Sequence, residues 1–334
     1  MYNITNKLIT ETIDALIYMT KCHIGIEDKI YRYAEIHNKK RLYGFGDKSV
    51  YAYSDILNLQ YIFPDLNIID NPENIIFKLK KMQDQNDKTF YEDTHHFLHT
   101  TASAVASLYR WGEKTNYSCA EIVNNYDIIN SLEFVRWNIE PWRDSNIPVA
   151  IFWLAQCYYG DEKKSIFNSE FTSWILKNSC PETGLWRKGS IKNTGNRGIF
   201  PAIAGTFHIL FILEYMGLRN NRAEQLYNTC VNYYYNQSVR LFSDIGYVDI
   251  DFIYCLVRTF KYINKEANST NYLLDKMLYE FCNMIITKKN SYHSSDLHKI
   301  LGSVLVLCEF SKISIFKSLF EINVRNAIDA AAYA

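Results

Sequence analysis

A weak repeat of roughly fifty residues, present about six times, constrains this chain more than any other feature. Each copy reads as a turn carrying an aromatic residue, a short polar stretch, then a helix rich in Ala, Leu, Ile and aromatics. The turn aromatics are Phe45, Phe90, Trp142, Trp186, Phe242 and Tyr292, at spacings of 45, 52, 44, 56 and 50 residues. The helices that follow begin near Ser54, His96, Ile147, Ala202, Asp251 and His298. A period in this range marks stacked supersecondary units, none of which can bury its apolar face alone. Six helical hairpins can close into a ring, a double shell of helices around a central cavity. The expectation is an all-α chain, an (α/α)6-like toroid of about six hairpins, forming one domain over residues 1–334.

Local periodicity agrees. Leu8, Ile9, Ile13, Leu16 and Ile17 fall on one helical face. Ala102–Trp111 and Ile203–Met216 read as strong helices, with Gly112 and Gly217 as C-terminal stops. Tyr227–Tyr235 and Tyr272–Ile286 read as outer helices, Leu301–Phe310 as an inner one, and Ile313–Ala330 as an amphipathic closing helix. No region alternates at period two for long enough to make a sheet. The longest break, Cys180–Phe200, is rich in Gly, Asn and Lys and reads either as a mobile loop over a cavity mouth or as an ordinary insertion.

Bulk properties exclude some classes. A formal net charge of zero argues against a nucleic-acid partner, or an anionic membrane, reached by bulk electrostatics. No stretch reaches the ~18 apolar residues of a membrane helix. The longest candidate, Ile199–Met216, is interrupted by Pro201, His208 and Glu214. Met1 to Ile13 holds no apolar run long enough for a secretory signal. The 8 cysteines show no CxxC, so they read as free thiols in a reducing cytoplasm rather than a zinc or disulfide framework. There is no GxSxG, phosphate loop or GxGxxG, and no cofactor is implied. The 26 Tyr and 19 Phe can line an aromatic cavity or simply fill a core.

Five constellations can carry chemistry. In the run from Tyr91 to Thr101, Asp93 and His96 suit acid–base work and His99 substrate hydrogen bonding. The alternatives are a helix cap, or a metal held by His95 and His99 at i,i+4, although HExxH is missing and no metal is assigned. Asp249 and Asp251 open an otherwise apolar helix. One suffices for capping, so the other can point into an apolar cavity, where its pKa rises and it serves as a general acid. Trp142 can stack on a sugar face and Arg143 can clamp an anion, or the segment is a turn and cap. Glu182 and Trp186 lie in a turn, with His208 farther on inside an apolar helix; these are candidate binding and proton-relay groups, or parts of the turn and core. Tyr292 and His293 occupy the same place in their repeat as the first constellation, and His298 follows.

At its turn-then-helix units the chain resembles the α/α-toroid superfamily of terpene cyclases, protein prenyltransferase β-subunits and, by architecture, (α/α)6 glycan-active enzymes. Gln85…Phe90 and Ser179–Trp186 are similar to the Gln-to-Trp repeat motif of terpene cyclases, and His99-Thr100-Thr101-Ala102 resembles the small-residue inner helix of that group. Asp249-Ile250-Asp251-Phe252 is similar to the Asp-x-Asp-Asp acid motif of class II terpene cyclases, which implies Asp251 as proton donor, with Phe252 replacing the last aspartate. Ile253 stands where a prenyltransferase has its zinc cysteine. These departures turn the resemblance towards the glycan-active branch. The leading expectation is thus a cytoplasmic carbohydrate-active enzyme, a hydrolase, lyase or epimerase on an oligosaccharide or sugar conjugate. Asp93, Asp249, Asp251, His96 and His208 would be its catalytic groups, and His99, Trp142, Arg143, Glu182, Trp186, Tyr292 and His293 its substrate-binding groups. The alternatives are an isoprenoid-active enzyme with Asp251 as the acid, and a non-catalytic binding toroid.

Overall fold

The computed structural model describes residues 2, 4–37, 40–44, 48–187, 198–236, 240–263, 267–290, 294–331 and 333. The chain is mostly helical. In order, its elements are α1 Asn6–Lys21, β1 Tyr33–His37, β2 Lys40–Gly44, α2 Val50–Ile62, α3 Pro72–Lys81, α4 Phe97–Arg110, α5 Ala120–Asn124, α6 Ile128–Phe134, α7 Pro141–Asp144, α8 Asn146–Tyr158, α9 Asp161–Asn178, α10 Phe200–Tyr215, α11 Ala223–Asn236, α12 Tyr247–Phe260, α13 Ala267–Asn290, β3 Ser294–Asp296, α14 Leu297–Ser311 and α15 Ala327–Ala330. Among the described residues no helix is long and apolar enough to cross a membrane.

Local chemistry sets the helix ends. Thr5, Ser49 and Asp127 cap α1, α2 and α6 by accepting the N–H of Leu8, Ala52 and Asn130 at 3.2, 3.1 and 2.8 Å. Gly112 and Gly217 stop α4 and α10 with φ of +72° and +68°. In each case the glycine N–H and the next N–H reach back to Tyr109 and Leu108, or to Glu214 and Leu213. This is the Schellman arrangement, which needs a left-handed residue.

The chain divides into two compact units. Unit 1 comprises 1–78, 240–253 and 263–327; unit 2 comprises 79–239, 254–262 and 328–334. In unit 1, α1 packs on α13 and α14, and α14 packs on α2. Helix α2 is buried from Val50 to Gln60, so polar Ser54, Asp55 and Asn58 lie in the interior. In unit 2, α8 is the hub, packed against α4, α5, α6, α9 and α10, while α7 lies on α10. Helix α10 is buried from Phe200 to Leu213.

Two expectations need correction. A small antiparallel sheet of order β2-β1-β3 exists, with Tyr33 opposite both Gly44 and Asp296. Its strands are too short to display alternation, and β3 joins from the far end of the chain. The helix expected over Ile313–Ala330 is reduced to a 3-10 turn at Lys317–Leu319 and the short α15. The intervening backbone is used otherwise: Arg325 N–H donates to Ile62 O at the end of α2, at 2.9 Å.

The repeat has a recurring physical basis within each unit. In unit 2 the N–H of Phe90 donates to Thr101 Oγ1 at 3.0 Å, and that of Trp186 to Thr206 Oγ1 at 3.1 Å. In unit 1 the N–H of Phe242 donates to Asp249 Oδ1 at 2.9 Å. A side-chain oxygen of the following helix thus holds these three aromatic turns, whereas Trp142 lies within helix α7. The glutamine that anchors the Phe90 turn is Gln83, which bonds Lys88 O and the backbone of Tyr117; Gln85 is exposed. Phe45 and Tyr292 lie outside the described residues.

Candidate functional site

Three helices of unit 1 bring chemistry-bearing side chains together. A tyrosine and an aspartate four residues apart share a helical face. This happens twice, as Tyr51 and Asp55 on α2 and as Tyr247 and Asp251 on α12. Helix α14 begins with Asp296 as its cap, which accepts the N–H of His298 at 3.0 Å. Arg32, just before β1, completes the group.

His298 sits at the centre. Its Nδ1 lies 3.0 Å from Asp55 Oδ2. Tyr247 stacks on its ring at 4.4 Å and 29°, and Tyr51 meets it edge-on at 4.9 Å and 64°. The Arg32 guanidinium binds Asp296 through Nε at 3.2 Å and Nη2 at 3.3 Å, and lies 5.0 Å from the Tyr51 ring centre. The Asp55 side chain is 1% exposed and that of His298 12%, so the imidazole is the more accessible of the two.

The electrostatics follow from this packing. Burial pushes the Asp55 carboxyl above the ordinary carboxylate range; His298 and Arg32 pull it back and Asp296 adds to the rise. Asp55 Oδ1 has no hydrogen-bond partner among the described residues. The Tyr247 hydroxyl is held well above its usual value, by burial first and then by the nearby Asp55 and Asp251 charges. The hydrogen bond between Asp55 and His298 can form in two ways. With the carboxylate ionised, Nδ1 carries the hydrogen and donates it to Asp55. With the carboxyl protonated, it donates to Nδ1. Either way one hydrogen lies between the carboxyl and the imidazole.

The two aspartates named from sequence separate in role. Helix α12 starts at Tyr247, so neither is its cap, contrary to the capping expectation. Asp249 is a turn brace, holding Phe242 N–H, and burial raises its carboxyl to about 7. Asp251, buried in the next turn, joins the Tyr247 cluster.

In unit 2 the named residues scatter. Asp93 is exposed in a turn, and its carboxylate binds the Tyr91 hydroxyl and raises that phenol's pKa. His96 is the cap of α4, its Nδ1 accepting Leu98 N–H at 3.3 Å; partial burial lowers its pKa. His99 is buried against His95, ring centres 5.0 Å apart, and meets Tyr333 edge-on. Among the described residues no group of three or more His, Cys, Asp or Glu could hold a metal ion. Buried His208 has its Nδ1 2.8 Å from Ser145 Oγ, which donates its proton to Pro141 O; burial drops the imidazole to about 3. Burial thus favours the neutral form of this core histidine. Half-buried Trp142 packs edge-on against Phe200, and Arg143 is exposed. Glu182 is exposed and accepts from Cys180 Sγ at 3.0 Å. Trp186 is fully buried with its Nε1–H on Ile175 O at 2.8 Å, which leaves no face for a substrate. Tyr292 and His293 lie outside the described residues.

Sequence reading missed Asp55 altogether and noted His298 without a partner. The available signal was the repeated Tyr-x-x-x-Asp spacing at Tyr51/Asp55 and Tyr247/Asp251, each near a helix start. Unit 2 also carries an open groove of about 620 Å³, lined by Gln156, Asn168, Ser169, Thr172 and Tyr215 among others. None of the residues named from sequence lines it. No family model matches this chain, and no curated protein or solved structure matches it.

Proposed function

We propose that the chain is an enzyme of acid–base chemistry whose proton-transferring centre is the Asp55–His298 pair of unit 1. One observation carries this reading: a deeply buried carboxyl with raised pKa is bonded to a more accessible imidazole whose ring is clamped by two tyrosines. Buried acid–base pairs with displaced pKa values concentrate at functional sites. The Asp251 role drawn from the terpene-cyclase resemblance passes in this reading to Asp55, and Asp251 contributes field.

The surroundings favour an apolar, isoprenoid-type substrate. Asp55 and Asp251 are both within 1% of full burial and the frame is aromatic. The carbohydrate-active reading keeps one supporting observation, the hydroxyl- and amide-lined groove of unit 2, which lacks acidic groups of its own. The closed ring suggested by the repeat and a cytoplasmic location belong to the same proposal. The recurring tie between turn and helix supports the ring, and eight free cysteines support the compartment.

The test is deuterium incorporation. The protein is incubated in D2O with a panel of linear isoprenoids and, separately, oligosaccharides, and products are read by mass spectrometry. Proton transfer to carbon leaves a deuterium. Folded His298→Gln and Asp55→Asn variants should lose on the order of 100-fold or more in rate. Undiminished turnover in both variants would sink the assignment, as would a wild-type protein inert on both panels.

A further inference from the structure

We infer that Tyr247 is the positioning residue that locks the orientation of the His298 ring, and that Gly302 is the slot that seats it. This rests on the acid–base reading of His298. Helix α14 places His298 and Gly302 four residues apart, hence on one face. A Cβ built on Gly302 would lie 2.9 Å from Tyr247 Cδ2, 3.1 Å from Tyr247 Cε2 and 3.1 Å from Gly246 O. Only a residue without a side chain admits the ring there. The neighbouring Ser303 Oγ accepts Gly246 N–H at 3.3 Å, which ties the turn just before Tyr247 to the same helix. The tyrosine ring is thereby laid along α14, its edge over Gly302 and its face on His298.

The consequence concerns which nitrogen works. Rotation about the last side-chain torsion of histidine is broad and roughly two-fold, so the rotamer alone does not choose between Nδ1 and Nε2 as the partner of Asp55. A half-turn must sweep the imidazole through the space held by Tyr247 and Tyr51. The Tyr247 hydroxyl lies 3.4 Å from Nδ1, at the long end of hydrogen bonding, so stacking is the principal contact. The stack keeps Nδ1 on Asp55. A helix-interior glycine is unfavourable in itself, and here its return is the orientation of the catalytic ring.

The readout is independent of substrate. Full-length protein labelled with 15N-histidine is examined by long-range 15N–1H correlation, which reports which ring nitrogen bears the hydrogen. Wild type should show a single tautomer for His298, with the signal assigned by its loss in His298→Gln. Tyr247→Phe keeps the ring and should keep the pattern. Tyr247→Ala and Gly302→Ala should both collapse it towards an averaged one. Gly302→Ala should also lower the melting temperature, and this loss should shrink when Tyr247→Ala is added, since the clash partner is gone. If Gly302→Ala does not fold, the contrast between Tyr247→Phe and Tyr247→Ala decides alone. A single tautomer surviving in Tyr247→Ala overturns the inference. An averaged tautomer in Tyr247→Ala with undiminished deuterium transfer instead overturns the acid–base reading and leaves the positioning role standing.

Discussion

Asp249 makes the stability of this protein depend on pH in an unusual direction. Burial lifts its carboxyl from an ordinary 3.8 to about 7, with Asp244 adding to the rise and the bond from Phe242 N–H opposing it. The difference is about three units, and each unit corresponds to ~1.4 kcal/mol, so the charge costs the folded state on the order of 4 kcal/mol once fully formed. The sign follows from linkage. The folded state binds this proton more tightly than the unfolded chain. The associated stability is therefore fully present below about pH 4 and is lost as pH rises through about 7. Asp249→Asn removes the titration while keeping a carbonyl oxygen for the Phe242 N–H. Urea unfolding of both proteins from pH 4 to 8, taken as a difference, cancels the titrating groups that do not interact with Asp249. The two should differ least near pH 4, and the Asn variant should gain steadily until it is the more stable by up to about 4 kcal/mol at pH 8. A difference that stays flat with pH, or an Asn variant that is the weaker at pH 8, would refute the reasoning.

Two further outcomes follow from the same structure. His208 is buried neutral at about 3 against an ordinary 6.5, so its contribution is present above pH 6.5 and is lost as pH falls towards 3, at about 1.4 kcal/mol per unit; His208→Gln should flatten the melting temperature between pH 6.5 and 4, and an unchanged acid slope would count against a buried neutral ring. Gly184 has φ of +73°, and a Cβ there would lie 2.5 Å from Leu226 N and 2.7 Å from Arg222 O; Gly184→Ala should cost at least about 2 kcal/mol in urea unfolding, because a backbone contact cannot swing aside.

Much of the helical skeleton was legible because its signals are local. Gly112 and Gly217 end their helices where the pattern places the stops, and α2, α4, α8, α10, α12 and α14 begin within a few residues of the positions read from the repeat. The failures share a cause. Ile313–Ala330 has amphipathic spacing, yet its backbone is recruited by the end of α2, a partner far away in sequence. Trp186 and His208 look like binding and relay groups by residue type, and only the packing shows that both are buried, with the imidazole held towards its neutral form.

What the sequence by itself determined is the helical class, many of the places where helices start and stop, and the aromatic turns at Phe90, Trp186 and Phe242 that precede helices, since these depend largely on local residues. Tertiary structure alone decided which carboxylate meets which histidine. Asp55 and His298 lie 243 positions apart, and neither carries a local mark of the other. Their pairing, the burial that raises the carboxyl and the tyrosines that clamp the imidazole arise only when α2, α12 and α14 pack, because desolvation and orientation are properties of an environment and not of a residue.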